Sequence, residues 1–251
     1  KLAACGAIAV DERLATSVPG LWAVGDCVAV RHAVTGEHSH MPLGSLANRQ
    51  GRTLANILAG RGDAFPSVAG AVAVKVFDVN VAATGCTETR AQARGVAGRS
   101  VWVTADDRAH YWPESERIHL KLVYERGSQR VLGVQAVGKG EVVKRIDVAT
   151  QLLARGATLG ELAHVEHAYA PPYAPAMDNI ITAANVARNK LDGQMVGVSP
   201  MEVYRMMKED SDFVFLDVRS PGEYEQVRLP GAMLVPLGAL RGRLDDLPKS
   251  K

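Results

Sequence analysis

The sequence predicts a mixed α/β and α+β protein built in three successive blocks. A short apolar run ends in Gly25-Asp26 and leads, through a loop, into a helical pattern, as at the edge of an open α/β sheet. A middle block alternates paired strands with single helices, the signature of an α+β domain. A last block opens on two helix-start signals around a short apolar strand.

The first block runs from residue 1 to 62. Ala7 to Val10 is apolar, and Asp11 to Pro19 is polar and turn-like. Leu21-Trp22-Ala23-Val24 reads as a short buried strand ended by Gly25-Asp26. A glycine- and histidine-rich loop covers Arg31 to His40. Ser45 to Leu58 then carries Leu46, Leu54, Ile57 and Leu58 at helical spacing and stops near Gly60.

The second block covers residues 63–189. Ala71 to Thr84 reads as a strand through Val72, Val74, Val76, Val79 and Val81. Glu88 to Arg94 reads as a helix closed by Gly95. Ile118 to Tyr124 and Val131 to Val137 form a hairpin around Arg126-Gly127. Val142 to Leu153 is an amphipathic helix with Val142, Ile146, Ala149, Leu152 and Leu153 on one face. Thr158 to Glu161 has capping-box spacing, and Ala176 to Val186 is a last helix. Residues 190–198 are polar and twice interrupted by glycine, as in a linker. The third block, 199–251, starts with the capping box Ser199 to Glu202. It continues through the strand Phe213 to Val218 and a second capping box at Ser220 to Glu223.

Composition narrows the function classes. The 251 residues carry 29 Lys and Arg against 27 Asp and Glu, a net charge of +2. That balance predicts neither a nucleic-acid nor a membrane preference. No apolar run has the length of a bilayer span, and Lys1 to Val10 lacks signal-peptide grammar. The three cysteines, Cys5, Cys27 and Cys86, are widely spaced and form no C-x-x-C. They suit a reducing, cytoplasmic setting. His38 and His40, without cysteine or carboxylate partners, make no metal set. The chain begins without methionine and stops at Lys251 just after an incomplete motif, so it reads as a piece of a longer protein.

The run Thr16 to Asp26 has the form T-x-x-P-x-[hydrophobic]-[aromatic]-A-x-G-D. It resembles the second flavin-binding signature of the pyridine nucleotide-disulfide oxidoreductases. A bare Gly-Asp would only end a strand in a turn; the eleven-residue agreement points to flavin. Glycine lets the backbone approach a ligand, and a carboxylate can accept hydrogen bonds from ribityl hydroxyls. The resemblance assigns Gly25 and Asp26 to that role. Met41 to Arg52 is similar to the following helix of the coenzyme A-disulfide reductases and related NADH oxidases. It implies Leu43, Gly44 and Ser45 as backbone donors to the flavin ring, where free N–H groups and the helix dipole favour negative charge. Arg49 and Arg52 read as a solvated helix face.

Residues 63–189 resemble the interface domain of the same family, through Val76 to Gly85 and Tyr169 to Ala174. The resemblance implies a homodimer. It also implies that Tyr173, and with less support Tyr111, place hydroxyls near the reactive sulfur of the partner subunit. A phenol there would hydrogen-bond to a thiolate or leaving sulfur. Tyrosines of an interface can equally serve packing. His164-Val165-Glu166-His167 departs from the H-P-T-x-x-E of the glutathione-reductase branch, which sets that branch aside and leaves these histidines structural or solvent-facing. Cys86 opens a predicted helix, where a thiol pKa can fall, but it more readily reads as a small buried apolar residue.

Leu216-Asp217-Val218-Arg219 to Tyr224, followed by Arg228 to Pro236, resembles the first half of a rhodanese domain. Asp217 and Arg219 read as a structural ion pair. No cysteine follows Cys86, so this stretch holds no sulfurtransferase nucleophile. The domains implied are therefore the end of a FAD-binding domain, an α+β dimerisation domain and a truncated α/β rhodanese domain.

The implied activity is an NAD(P)H- and FAD-dependent reductase of small-molecule disulfides, persulfides or polysulfides, with coenzyme A as a further ligand. The alternatives are an NADH oxidase or peroxidase of the same fold, and a non-catalytic dimerisation or sulfur-carrier scaffold. The G-x-G-x-x-G that cradles a dinucleotide pyrophosphate does not occur in these 251 residues. The chain by itself is therefore expected to hold FAD weakly or not at all and to lack turnover.

Overall fold

The computed structural model describes residues 1–209 and 212–248; the expected motif break at Lys251 lies outside them. The chain divides into two compact units, Lys1–Met195 and Val196–Lys251.

The first unit opens with a small sheet. Strand β1 (Ile8–Ala9) pairs in parallel with β2 (Val28–Arg31), which pairs antiparallel with β3 (His38–His40). The expected strand at Leu21 to Val24 does not form. Leu21 is 54% exposed, and Trp22 makes one isolated bridge, to Ala15. The apolar run that finds ladder partners on both sides is Val28-Ala29-Val30, and it is buried. Gly25 and Asp26 therefore precede a strand instead of ending one. Helix α1 (Gly44–Leu58) follows. Its buried positions are Leu46, Gln50, Thr53 and Ile57, one face at spacings of three and four. Leu58, expected on that face, is exposed, and two polar side chains occupy the middle of the stripe.

The remainder of this unit is a five-stranded antiparallel sheet. Residues 71–84, expected as one strand, fold back on themselves as β4 (Val72–Val76) and β5 (Val79–Gly85), with Val76 opposite Val79. Phe77 takes a positive φ of 54°, as a two-residue hairpin turn requires. Helix α2 (Glu88–Gln92) starts on the Thr87 side chain. Strand β6 (Gly98–Asp106) was not among the expected elements. It pairs along its length with β7 (Arg117–Glu125), which forms the expected hairpin with β8 (Val131–Gly138). The sheet order is β4-β5-β8-β7-β6.

One face of this sheet presents Val101, Val103, Ile118, Leu120, Leu122, Val134 and Ala136. Helices α3 (Val143–Leu153) and α5 (Asn179–Leu191) cover it, and α4 (Leu159–Ala163) packs against α5 and adds Leu159 and Leu162 to the same core. Each fully buried Leu or Ile here contributes about 1.5–3 kcal/mol by leaving water. The Thr158–Glu161 capping box starts α4 as expected. Helix α5 begins three residues later than expected, because the Asp178 side chain, not the apolar run after Pro175, sets its start.

In the second unit, capping boxes at Ser199 and Ser220 start helices α6 (Pro200–Lys208) and α7 (Pro221–Gln226). Strand β9 (Leu216–Asp217) pairs in parallel with β10 (Met233–Leu234). The strand expected over Phe213 to Val218 thus shortens to two residues, the stretch for which β10 offers ladder partners. A short helix, α8 (Leu237–Leu240), follows.

Candidate functional site

Two groups of predicted site residues emerge, both in the first unit. At the first, Gly25 sits in a turn with φ +85°, a conformation natural to glycine. Its N–H donates to the Gln50 Oε1 at 2.6 Å. Gln50 is buried within α1, so a polar residue in the helix's core stripe ties the Gly25-Asp26 turn to that helix. His40 Nε2 lies 2.7 Å from the Asp26 carbonyl oxygen and fixes the turn from the β3 side. The Asp26 carboxylate is exposed.

The start of α1 packs in the same apolar cluster as the residues on either side of the turn, through Leu43, Leu46, Val24 and Val28. Leu43 occupies the cap position in extended backbone, with no side-chain cap and no acid in the first turn. A helix start without a competing cap or carboxylate leaves its first N–H groups and its partial positive charge available to an anion. An exposed acceptor at Asp26 and an open helix start at Leu43-Gly44-Ser45 fit the hydroxyl-bearing and electron-rich parts of a flavin.

The second group is formed by two loops. Residues 107–116, between β6 and β7, carry Tyr111; residues 169–175 carry Tyr173. Both rings are exposed, at 65% and 68%. The loops meet where the Ala109 N–H donates to the Pro171 carbonyl at 3.3 Å. Tyr111 packs edge-on against His110, with ring centroids 5.4 Å apart.

Residues that sequence reasoning missed hold these loops. Arg145, on α3, is 1% exposed. Its Nη1 donates to the Glu141 carbonyl at 2.6 Å, and its Nη2 to the Asp107 carbonyl. Its Nε donates to Asp178 Oδ1 at 3.3 Å, and Nη2 lies 2.9 Å from Asp178 Oδ2. Next to it, Lys144 Nζ donates to the Tyr173 carbonyl at 3.1 Å. Burial, and then the Arg145 charge, hold the Lys144 ammonium pKa below its usual value.

Asp107 closes the first loop on itself. Its carboxylate accepts from the backbone N–H of Glu116 and Glu141 and from the Arg108 guanidinium. Burial works to raise its pKa, but those donors together hold it below the ordinary 3.8. The only advance signal for this network was an arginine and two aspartates beside an amphipathic helix and a proline-rich loop, which reads as a solvated face.

The remaining candidates separate from these groups. Cys86 is buried just before α2, whose cap is Thr87, and burial raises its thiol pKa; a helix start does not activate it. Cys27 is exposed, with its Sγ 3.4 Å from the Val24 carbonyl. Among the described residues no group of three or more His, Cys, Asp or Glu is placed to hold a metal. Nor is any helix among them long and apolar enough to cross a membrane. In the second unit, Arg219 grips Asp217 through Nε–Oδ1 at 3.0 Å and Nη2–Oδ2 at 2.6 Å, and it also donates to the Val227 carbonyl.

Comparison with known proteins shows what the chain resembles. The chain is 36% identical over 188 residues to an NAD(P)H sulfur oxidoreductase (CoA-dependent) of Pyrococcus furiosus, covering 75% of this chain and 42% of that protein. Among solved structures, an NAD-dependent persulfide reductase from A. fulgidus superposes with a TM-score of 0.92 at 43% identity, over 100% of this chain and 45% of that one. A reduced Bacillus anthracis CoADR-RHD gives a TM-score of 0.90 at 34% identity, again over 100% and 45%. The chain thus spans less than half the length of these relatives. Residues 71–181 match the family model of the pyridine nucleotide-disulphide oxidoreductase dimerisation domain, a stretch that takes in the five-stranded sheet, α3 and α4.

Proposed function

We propose that this chain supplies the flavin-ring end of the FAD-binding domain and the dimerisation domain of an NAD(P)H-dependent flavoprotein reductase. Its substrates are small-molecule disulfides, persulfides or polysulfides, including those of coenzyme A. The observation that carries this reading is the Gly25-Asp26 turn locked by Gln50 to a helix whose start is free of caps and acids. The relatives' described activities on sulfur and persulfides support the substrate class.

In this reading FAD supplies the two-electron chemistry, and the polypeptide positions it. Asp26 accepts hydrogen bonds from ribityl hydroxyls, while Leu43, Gly44 and Ser45 offer N–H groups to the ring. A homodimer formed through the dimerisation domain would bring Tyr111 and Tyr173 to the active site of the partner subunit. Each phenol would hydrogen-bond to a sulfur gaining negative charge. Residues 199–251 would be the first half of a rhodanese module, with Asp217–Arg219 as its structural ion pair.

The test is the absorbance spectrum of the full-length flavoprotein before and after anaerobic NADH. The reading expects a flavin spectrum bleached by NADH and restored by coenzyme A disulfide or a persulfide. Restoration by oxygen or peroxide alone would make the protein an oxidase or peroxidase. Absence of flavin would leave a dimerising scaffold.

A further inference from the structure

The dimerisation domain holds its two tyrosine loops with two consecutive residues of one helix. At the start of α3, Lys144 reaches the carbonyl of Tyr173 at 3.1 Å, and Arg145 turns inward. The Arg145 guanidinium joins three separate segments: the Asp107 carbonyl at the root of the Tyr111 loop, the Glu141 carbonyl before α3, and the Asp178 carboxylate after the Tyr173 loop. Asp178 in turn caps α5 through the Ile180 N–H at 3.1 Å. Asp107 fastens the other end of its loop to the Glu116 N–H at 3.0 Å and to the Glu141 N–H at 2.8 Å. Gly140 allows that close approach, since a Cβ there would stand 2.8 Å from Asp107 Oδ2.

Anchors of both loops therefore converge on Glu141 and the first turn of α3, and the loops touch each other directly at Ala109–Pro171. A loop fixed only by its own turns would not need a buried arginine. A planar guanidinium with five donors can address three acceptors at once, which a lysine ammonium cannot do in the same geometry.

We propose that Lys144 and Arg145 are positioning residues that set the spacing of Tyr111 and Tyr173 as one unit, and so govern sulfur reduction without contributing to flavin reduction. This rests on the reductase reading given above. Neither residue touches substrate; both act through the loop backbone.

Two variants test it. Arg145→Lys keeps the charge and loses the three-way fork. Lys144→Met removes only a partly exposed contact and leaves the buried frame intact, so it stays informative should the arginine variant fail to fold. In the chain itself, hydrogen exchange should rise in residues 107–116 and 169–175 together for Arg145→Lys, and in 169–175 for Lys144→Met. Exchange unchanged in both loops overturns the proposal, whether or not flavin is bound. In the full-length flavoprotein, rapid-mixing kinetics should show flavin reduction by NADH within about twofold of the parent. Reoxidation by the disulfide or persulfide should fall by about tenfold or more, since a misplacement of about 1 Å can cost on the order of 100-fold. In a Tyr173→Phe background the Lys144→Met loss should largely vanish. Equal losses in both half-reactions, or full additivity with Tyr173→Phe, would reduce these residues to general structural support. A parent protein without flavin would sink the reductase reading alone, because the exchange experiment still decides the spacing role.

Discussion

The five-stranded sheet domain and the unit Val196–Lys251 are held by different kinds of interaction. The sheet has a continuous buried core, closed by three helices and pinned by the buried Arg145–Asp178 pair. Among the described residues of the second unit only Val235 is fully buried. Its elements rest on capping boxes at Ser199 and Ser220, the Asp217–Arg219 fork and a two-residue ladder. The first region is stabilised chiefly by contacts distant in sequence, the second by local caps, a local ion pair and one short ladder. The contrast teaches that a segment can state its local structure clearly and still bury little.

The largest test of this contrast is Arg145→Met. It leaves the Asp178 carboxylate buried without its partner, and removing one member of a buried ion pair costs about 3–5 kcal/mol. Urea unfolding followed by circular dichroism should show a loss of that size in the first unit. A loss under about 1 kcal/mol would mean that the pair is not a keystone of the sheet domain.

A smaller effect is expected from Asp107→Asn. The amide would turn a donor toward backbone N–H groups that now meet a carboxylate, costing about 1–3 kcal/mol at neutral pH. The pKa of Asp107 is lowered in the fold, so its contribution is fully present above the ordinary 3.8 and disappears as pH falls through the folded-state value. The stability difference between parent and variant should therefore shrink as the pH drops below about 4. A constant difference down to pH 2 would contradict the assignment.

The smallest effect concerns the local unit. Ser220→Ala removes the cap of α7 and should cost about 1 kcal/mol, confined to hydrogen exchange in residues 220–227. Spread of that change into the five-stranded sheet would erase the distinction between the two regions.

The same contrast explains what the sequence revealed. Capping boxes at Thr158, Ser199 and Ser220 were legible because both partners lie three residues apart. The β7–β8 hairpin and α3 were legible from periodicity. Strand β6 was missed although Val101 and Val103 alternate inward, because its length comes from pairing with β7. Residues 71–84 were read as one strand because valines continue on both sides of the Phe77 turn. The buried strand was placed at Leu21 to Val24, whereas ladder partners exist only for Val28 to Val30. At the candidate site, the tyrosines and the Gly25-Asp26 turn carried sequence signals. Gln50, Asp107, Lys144, Arg145 and Asp178 did not, since each works through a partner more than 20 residues away.

The proposed role of the Tyr173 hydroxyl is sulfur reduction and not packing. It is tested most directly by Tyr173→Phe in the full-length flavoprotein, with the two half-reactions timed separately. The account predicts unchanged flavin reduction by NADH and reoxidation by the disulfide or persulfide slowed by about 100-fold, the scale of losing one preorganised donor to developing charge. Reoxidation at the parent rate would contradict it and return Tyr173 to the interface.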